Sequence, residues 1–130
     1  GEGVRRTDQR RAAIVALYQA DLNCRSARDV LEPTARTFTR ELVQGVEHWR
    51  EEIDGLIERH AVGWTLDRIA PVERNILRVA LFEVLHRPDV PAEVAIDEAI
   101  EAAQELCGAD APGFVNGILG AVHRESVGTA

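Results

Sequence analysis

Length, composition and charge set the first limits on this sequence. It has 130 residues, the size of one ordinary domain, and 45% of them are hydrophobic and 28% charged, which excludes a disordered chain. No apolar stretch approaches the roughly 20 residues that cross a bilayer, and no signal segment opens the chain. We therefore predict one cytoplasmic domain over residues 1–130, with disordered ends at residues 1–4 and 125–130.

Charge is distributed unevenly along the chain, whose formal net charge of -7 excludes a uniformly basic nucleic-acid binder. Residues 1–40 contain eight Arg and five acidic residues, whereas residues 41–130 contain seven Arg and seventeen acidic residues. Every basic residue is Arg, whose planar guanidinium suits phosphate binding and base stacking. Cys24 and Cys107 stand outside any CxxC pattern, so we predict two reduced thiols and no metal or other cofactor.

The first predicted helix runs from Thr7, as its N-cap, to about Asn23. Its apolar residues recur every three or four positions, which predicts one buried stripe. The stripe contains Ala13, Ile14, Leu17 and Ala20. Because Arg6, Arg10 and Arg11 fall largely off this stripe, we expect their guanidinium groups to face solvent.

The middle of the chain predicts two further helices and one isolated turn. A short helix opens at Ser26 and ends before Pro33. A long helix follows from about Thr34 to His60, because its apolar residues keep a helical spacing throughout. Residues 65–69 then predict a single additional turn.

Three predicted helices complete the chain and place it in the all-α class. One begins at Pro71, whose missing N–H suits the first turn of a helix, and it stops before Pro88. The next opens at Pro91 and ends at Gly108, and the last runs to about His123. With the short turn included, this predicts a compact domain of about seven helices.

The segment 114–119 also has the features of a β-hairpin, because Asn116-Gly117 is a strong two-residue turn signal. We favour a helix, since no other segment alternates and an isolated two-stranded hairpin is marginally stable. On a helix, Gly113, Gly117 and Gly120 form a face without side chains. Another helix or an RNA backbone could approach that face closely.

Patterns for catalysis and metal binding are weak in this sequence. Glu83 and His86 form an E-x-x-H pair, but a helical di-iron site requires a second such pair, which is missing. The sequence contains no P-loop, no G-x-S-x-G and no H-E-x-x-H. We therefore predict that the chain is not an enzyme.

Acidic residues recur at helical spacing on the helix after Pro91. They are Glu93, Asp97, Glu98, Glu101 and Glu105. This pattern is typical of a solvated helix face, and the alternative is a docking surface for a basic partner.

The arginines at the N-terminus form the strongest candidate site. Arg5, Arg6, Arg10 and Arg11 precede and open the first helix, and such a cationic strip is the electrostatic footprint of phosphate binding. Tyr18 lies about two turns further along, where its ring could stack on an unpaired base. The residues alone leave RNA binding and a solvated basic face both open.

Six stretches of the chain carry a family resemblance. They are residues 10–19 (RRAAIVALYQ), 42–46 (LVQGV), 73–80 (ERNILRVA), 89–91 (DVP), 94–99 (VAIDEA) and 114–119 (FVNGIL). In their order, and over nearly the whole chain, these stretches resemble the NusB family of bacterial transcription antitermination factors. The resemblance implies an all-α fold of two packed helical subdomains.

The resemblance also implies a function and partners. The function is binding to the boxA element of ribosomal RNA leader transcripts together with NusE, a small-subunit ribosomal protein. The complex would help RNA polymerase read through terminators as part of an antitermination complex. The implied RNA face contains Arg6, Arg10, Tyr18, Glu83, Phe114 and Asn116, to which the charge argument adds Arg5 and Arg11. The implied NusE face contains Arg78, Phe82 and His86.

Two other functions stay open at this point. Ribosomal-RNA cytosine methyltransferases carry a similar RNA-recognition module, but their methyl donor needs an α/β domain for which 130 residues leave no room. A helical adaptor that binds only proteins would leave the arginines solvated. A homodimer that hides the RNA face is compatible with the NusB-like interpretation.

Overall fold

The described part of the chain is a packed set of α-helices. The structure, a computed structural model, describes residues 5–128, except for the side chains of residues 28, 127 and 128. Within that part the helices are α1 (Arg6–Asn23), α2 (Ala27–Val30), α3 (Thr37–His48), α4 (Arg50–His60), α5 (Pro71–His86), α6 (Ala92–Leu106) and α7 (Ala111–Gly128). A 3-10 turn, Leu66–Arg68, joins α4 to α5. The all-α prediction is confirmed.

Local sequence signals explain several of the helix ends. Pro71 occupies the first turn of α5, and Pro91 is the N-cap of α6. Cys24 ends α1 in the left-handed region at φ 52 and ψ 40. The prediction of Thr7 as N-cap of α1 is wrong, because Arg5 holds that position and the Thr7 hydroxyl donates a hydrogen bond to Glu98 of α6 at 3.1 Å.

The long helix predicted up to His60 is interrupted at one residue, Trp49, which separates α3 from α4. Trp49 leaves the helical region at φ -101 and ψ 20, although its N–H still donates to the Gly45 carbonyl at 3.0 Å. Its indole lies flat on the His86 ring, with the ring centroids 3.9 Å apart. A stacked contact with a neighbouring helix therefore accompanies the break, and a regular apolar spacing gives no sign of it.

Helix α7 includes the segment for which a hairpin was the alternative. Residues 114–119 lie inside Ala111–Gly128, so the helical prediction is confirmed and the helix continues past His123. A Cβ added at Gly113 or Gly117 would meet no atom within 4 Å. The glycine face of α7 is therefore open, and no described helix packs against it at these two positions. Of the ends for which disorder was predicted, residues 1–4, 129 and 130 lie outside the described residues, whereas residues 125–128 belong to α7.

Helix α5 is the centre of the fold. It packs against α1, α3, α4, α6 and α7, while α2 packs on α1 and α3. Nine consecutive residues of α5, from Asn75 to Glu83, are buried, and burial all around a helix is typical of a central one. The buried side chains of these helices form one continuous core.

The core is made mainly of Ala, Val, Leu and Ile, but α5 also buries three polar residues: Asn75, Arg78 and Glu83. Buried polar groups are stable only when they are hydrogen-bonded or paired. Their partners on other helices come from α1 and α4, so these pairs fix how those two helices sit against α5. Among the described residues, no helix is both long and apolar enough to cross a bilayer.

Candidate nucleic-acid interface

The structure places Arg10 in the core, although the helical spacing predicted an outward-facing guanidinium. Arg10 is 5% exposed, and its Nη2 and Nε donate to the two Glu83 carboxylate oxygens at 2.7 and 2.9 Å. Its Nη1 donates to Glu98 at 3.3 Å. Burial lowers the pKa of Arg10, but the hydrogen bonds and charges of the two carboxylates outweigh it, and the net shift is upward. The expectation that Arg10 faces solvent is therefore wrong.

Glu83 is the second predicted RNA-face residue that lies inside the fold. It is 1% exposed, and both of its oxygens accept hydrogen bonds from Arg10. A buried carboxylate is tolerated here because a bidentate guanidinium neutralises it. Neither residue is free to bind a ligand in this arrangement, and together they connect α1 to α5.

Helix α6 supplies carboxylates to the arginine strip of α1. Besides the contacts of Glu98 with Thr7 and Arg10, Glu105 accepts a hydrogen bond from Arg11 Nε at 3.2 Å. The acidic face predicted for α6 is thus partly used inside the molecule. The Nη1 atom of Arg11 is buried and has no hydrogen-bond partner among the described residues, so this guanidinium is only partly satisfied.

Arg5 and Arg6 remain at the surface, as the charge pattern predicted. The Arg5 side chain is 81% exposed and reaches Asp8 only at 4.0 Å. Arg6 is half-exposed, lies over the Phe38 ring at 4.2 Å from its centroid, and is 3.6 Å from Asp89. The cationic strip therefore divides into an exposed start and a buried continuation.

The aromatic and α7 residues predicted for the RNA face lie in other places. Tyr18 is half-buried on α1, two turns after Arg11 on the same helix face. Phe114 is half-buried beside a cavity of about 290 Å³ that Trp64 and Arg68 also line. Asn116 is exposed on α7. No contact among the described residues joins Phe114 or Asn116 to the α1 arginines.

Two of the three residues predicted for the NusE face are buried. Arg78 is 3% exposed and donates to Asp54 at 2.8 and 3.0 Å and to Asp21 at 2.8 Å. Phe82 packs so closely on Gly45 that a Cβ there would lie 2.1 Å from the ring. The expectation that Arg78 and Phe82 are surface contacts is therefore wrong, because both side chains connect α5 to its neighbours.

Asp21 is the acidic centre of the Arg78 cluster. Its carboxylate accepts hydrogen bonds from Asn75, Arg78, Arg74 and Arg50 at 2.8–3.2 Å. Burial raises the pKa of Asp21, but the hydrogen bond from Asn75 and the three arginines outweigh it and leave the pKa below its usual value. This cluster ties α1, α4 and α5 together and makes no contact with the Arg10–Glu83 pair.

The surface near His86 also contains a residue that the sequence did not single out as a site. His86 is half-buried between the Trp49 ring and Glu52, whose oxygen lies 2.6 Å from His86 Nε2. Trp49 is 38% exposed, and Trp64, also missed, is 53% exposed. Trp49 keeps the apolar spacing of the helix predicted up to His60, and that spacing gives no sign that its side chain is partly exposed.

Comparisons with known proteins agree with this architecture. The model of the NusB family matches residues 7–124. A transcription antitermination protein NusB from Myxococcus xanthus is 42% identical, with 90% of this chain and 92% of that protein covered.

Two solved structures give the same result. NusB from T. maritima is 34% identical with a TM-score of 0.84, covering 94% of this chain and 92% of that one. The antitermination factor NusB in a complex with NusE and double-stranded RNA is 25% identical with a TM-score of 0.79, covering 92% and 96%. The prediction of a non-enzymatic antitermination factor is confirmed, and the chain belongs to the NusB family of transcription antitermination proteins.

Proposed function

We propose that this chain binds boxA-type single-stranded RNA of ribosomal RNA leader transcripts together with the ribosomal protein NusE. The bound complex would then act in the cytoplasm, within the RNA polymerase antitermination complex, to promote read-through. The observation that carries the proposal is the NusB-family match over residues 7–124. It is supported by a related NusB that was solved with NusE and RNA.

The RNA face that we propose separates direct contacts from supporting ones. Arg5 and Arg6 supply exposed guanidinium groups for phosphates, because neither donates a hydrogen bond within the described part of the chain. Arg11 could join them by exchanging Glu105 for a phosphate. Arg10 and Glu83 act as positioning residues, since their buried pair holds α1 against α5 and so sets where the exposed arginines lie.

Stacking contacts extend this face along the molecule. Tyr18 follows Arg11 on the same face of α1 and presents a ring that suits an unpaired base. On α7, Phe114 and Asn116 would form a second contact region, beside an open glycine face that lets an RNA backbone come close.

For NusE we propose the surface that contains His86 and Trp49. An exposed indole stacked on an imidazole gives a rigid aromatic contact of the kind that is enriched in protein interfaces. Arg78 and Phe82 lie beneath and hold α5 in place, so they would affect NusE binding only indirectly.

Two alternatives are weaker. The NusB-like domain of a methyltransferase is disfavoured because the Myxococcus xanthus antitermination protein is covered over 92% of its length. An adaptor that binds only proteins would need no exposed arginines beside an aromatic ring.

Titration of a labelled boxA-type single-stranded RNA, with and without NusE, tests the proposal. We expect binding that tightens when NusE is present and that exceeds binding to a double-stranded RNA of the same sequence. Tyr18→Ala should weaken binding by about 1–3 kcal/mol, and Tyr18→Phe, which keeps the ring, should not. Equal binding of boxA-type and scrambled RNA in the presence of NusE would contradict the proposal, and sedimentation of the same samples would detect a homodimer.

A further inference from the structure

A polar cavity opens where the start of α1 meets the start of α3. Its volume is about 520 Å³, and its lining includes the arginines Arg6, Arg36 and Arg87. Glu41 is the one acidic residue in the lining. Three guanidinium groups around one carboxylate give the cavity a positive balance in a chain whose net charge is -7.

Arg87 already has partners inside the molecule. Its Nε and Nη2 donate to the two Asp89 oxygens at 2.8 and 2.9 Å, and its Nη1 donates to Glu41 at 2.8 Å. These contacts use every nitrogen of its guanidinium, whose single positive charge is shared between two carboxylates. Arg87 therefore forms part of the cavity wall and offers no free nitrogen to a ligand.

Arg36 and Arg6 are in the opposite situation. Arg36 is exposed at the N-cap position of α3, and its guanidinium makes no hydrogen bond or ion pair with any described residue. Arg6 reaches Asp89 only at 3.6 Å, and both oxygens of Asp89 are occupied by Arg87. The Phe38 ring supports the Arg6 guanidinium from below at 4.2 Å.

We infer that this cavity binds a phosphate group of the RNA backbone, held between Arg6 and Arg36. Planar guanidinium forks bind phosphate oxygens in pairs, and two unsatisfied forks on one cavity rim give a site that fits a tetrahedral anion. The Thr34 and Thr37 hydroxyls in the same lining add neutral donors. This inference rests on the proposed function and adds α3 to an RNA path that starts at Arg5 and Arg6.

The variant Arg36→Gln tests the site. The Arg36 guanidinium has no partner among the described residues, so its removal should leave stability unchanged. We expect boxA-type RNA to bind about twofold to fivefold more weakly at moderate salt. The slope of log K against log salt should become shallower by about 0.7, the value of one phosphate contact to a single strand. Arg25→Gln is the matched control. Arg25 is exposed just beyond the C-terminal end of α1, and the helix of 18 residues that separates it from Arg6 is about 27 Å long.

Titration with 5′-uridine monophosphate, followed by NMR of the Arg side-chain Nε–H groups, separates RNA from a free nucleotide as the source of the phosphate. Weaker RNA binding by Arg36→Gln but not by Arg25→Gln supports the inference. Nucleotide-induced shifts at Arg36 without any change in RNA affinity would overturn the assignment to the RNA backbone.

The same samples distinguish failure of this inference from failure of the proposed function. If the unaltered protein with NusE does not bind the RNA, the proposed function fails. If it binds and Arg36→Gln behaves like Arg25→Gln, with no shift at Arg36 on adding nucleotide, only the α3 site is overturned.

Discussion

Arg6 and Arg10 stand one turn apart on the same side of α1, and both lie over the Phe38 ring, yet their guanidinium groups differ in exposure and in partners. Arg6 is half-exposed and has one carboxylate, that of Asp89, at 3.6 Å. Arg10 is buried and shares three hydrogen bonds with Glu83 and one with Glu98. The first arrangement leaves donors for a phosphate, whereas the second holds two helices together.

A cationic strip in a sequence is therefore not one functional unit. Helical spacing determines which arginines share a face of α1, but the residues packed on that face come from α5 and α6, more than 70 positions away. An arginine that is buried against carboxylates becomes structural, and one whose guanidinium stays at the surface without a hydrogen-bond partner keeps its binding capacity.

Removal of one partner of the buried pair should have the largest effect. Arg10→Gln should lower the free energy of unfolding by about 3–5 kcal/mol, because Glu83 is left in the core without its guanidinium partner. The matched Arg6→Gln, at a half-exposed position, should change it by less than about 1 kcal/mol. Urea unfolding measures both.

A double variant tests whether the loss of stability comes from the unpaired Glu83 rather than from the loss of the Arg10 side chain itself. Arg10→Met with Glu83→Leu removes both charges at similar volume and should be closer in stability to the unaltered protein than Arg10→Gln. Equal stabilities of Arg10→Gln and Arg6→Gln would show that the two arginines do not differ as described.

Acid should reveal the second buried cluster, with a smaller effect. Because the pKa of Asp21 is lower in the folded protein than in the unfolded chain, its stabilising contribution is present above about pH 4 and is lost as the pH falls through the folded value. In Asp21→Asn this part of the pH dependence should be absent. Unfolding curves between pH 7 and pH 2 measure it, and superimposable pH profiles of the two proteins would refute it.

The smallest effect is expected for Arg11, whose guanidinium is neither fully exposed like that of Arg5 nor fully paired like that of Arg10. Glu105→Gln should tighten RNA binding by about twofold to fivefold, because it removes the exposed carboxylate that competes for the Arg11 guanidinium. Glu101→Gln, on the same helix and exposed without a partner among the described residues, controls for the change in net charge. An identical gain in both variants would reduce the effect to long-range electrostatics.

Much of the fold could be predicted from the sequence because its signals are local. Apolar spacing, Pro71 and Pro91 placed the helices to within a few residues, and the lack of other alternating segments identified the helix in α7 correctly. The break at Trp49 was missed, since it coincides with stacking on His86, which lies 37 positions later.

The candidate site was less predictable because it depends on distant partners. The sequence identified Arg5 and Arg6 correctly as exposed. It could not show that Arg10 would be buried and paired with Glu83 and Glu98. Nor could it show that Arg78 would be buried and paired with Asp21 and Asp54. Arg36 was not predicted as a site residue because no other arginine stands next to it in the sequence. Only the fold brings it to the cavity that Arg6 also lines.

The salt dependence of RNA binding in Arg6→Gln and Arg10→Gln, measured side by side at a temperature where both are folded, tests the division of the strip directly. We predict that Arg6→Gln makes the slope of log K against log salt shallower by about 0.7, and that Arg10→Gln leaves it unchanged. A slope that flattens in Arg10→Gln and stays the same in Arg6→Gln would contradict the assignment of Arg6 to phosphate binding and of Arg10 to the core.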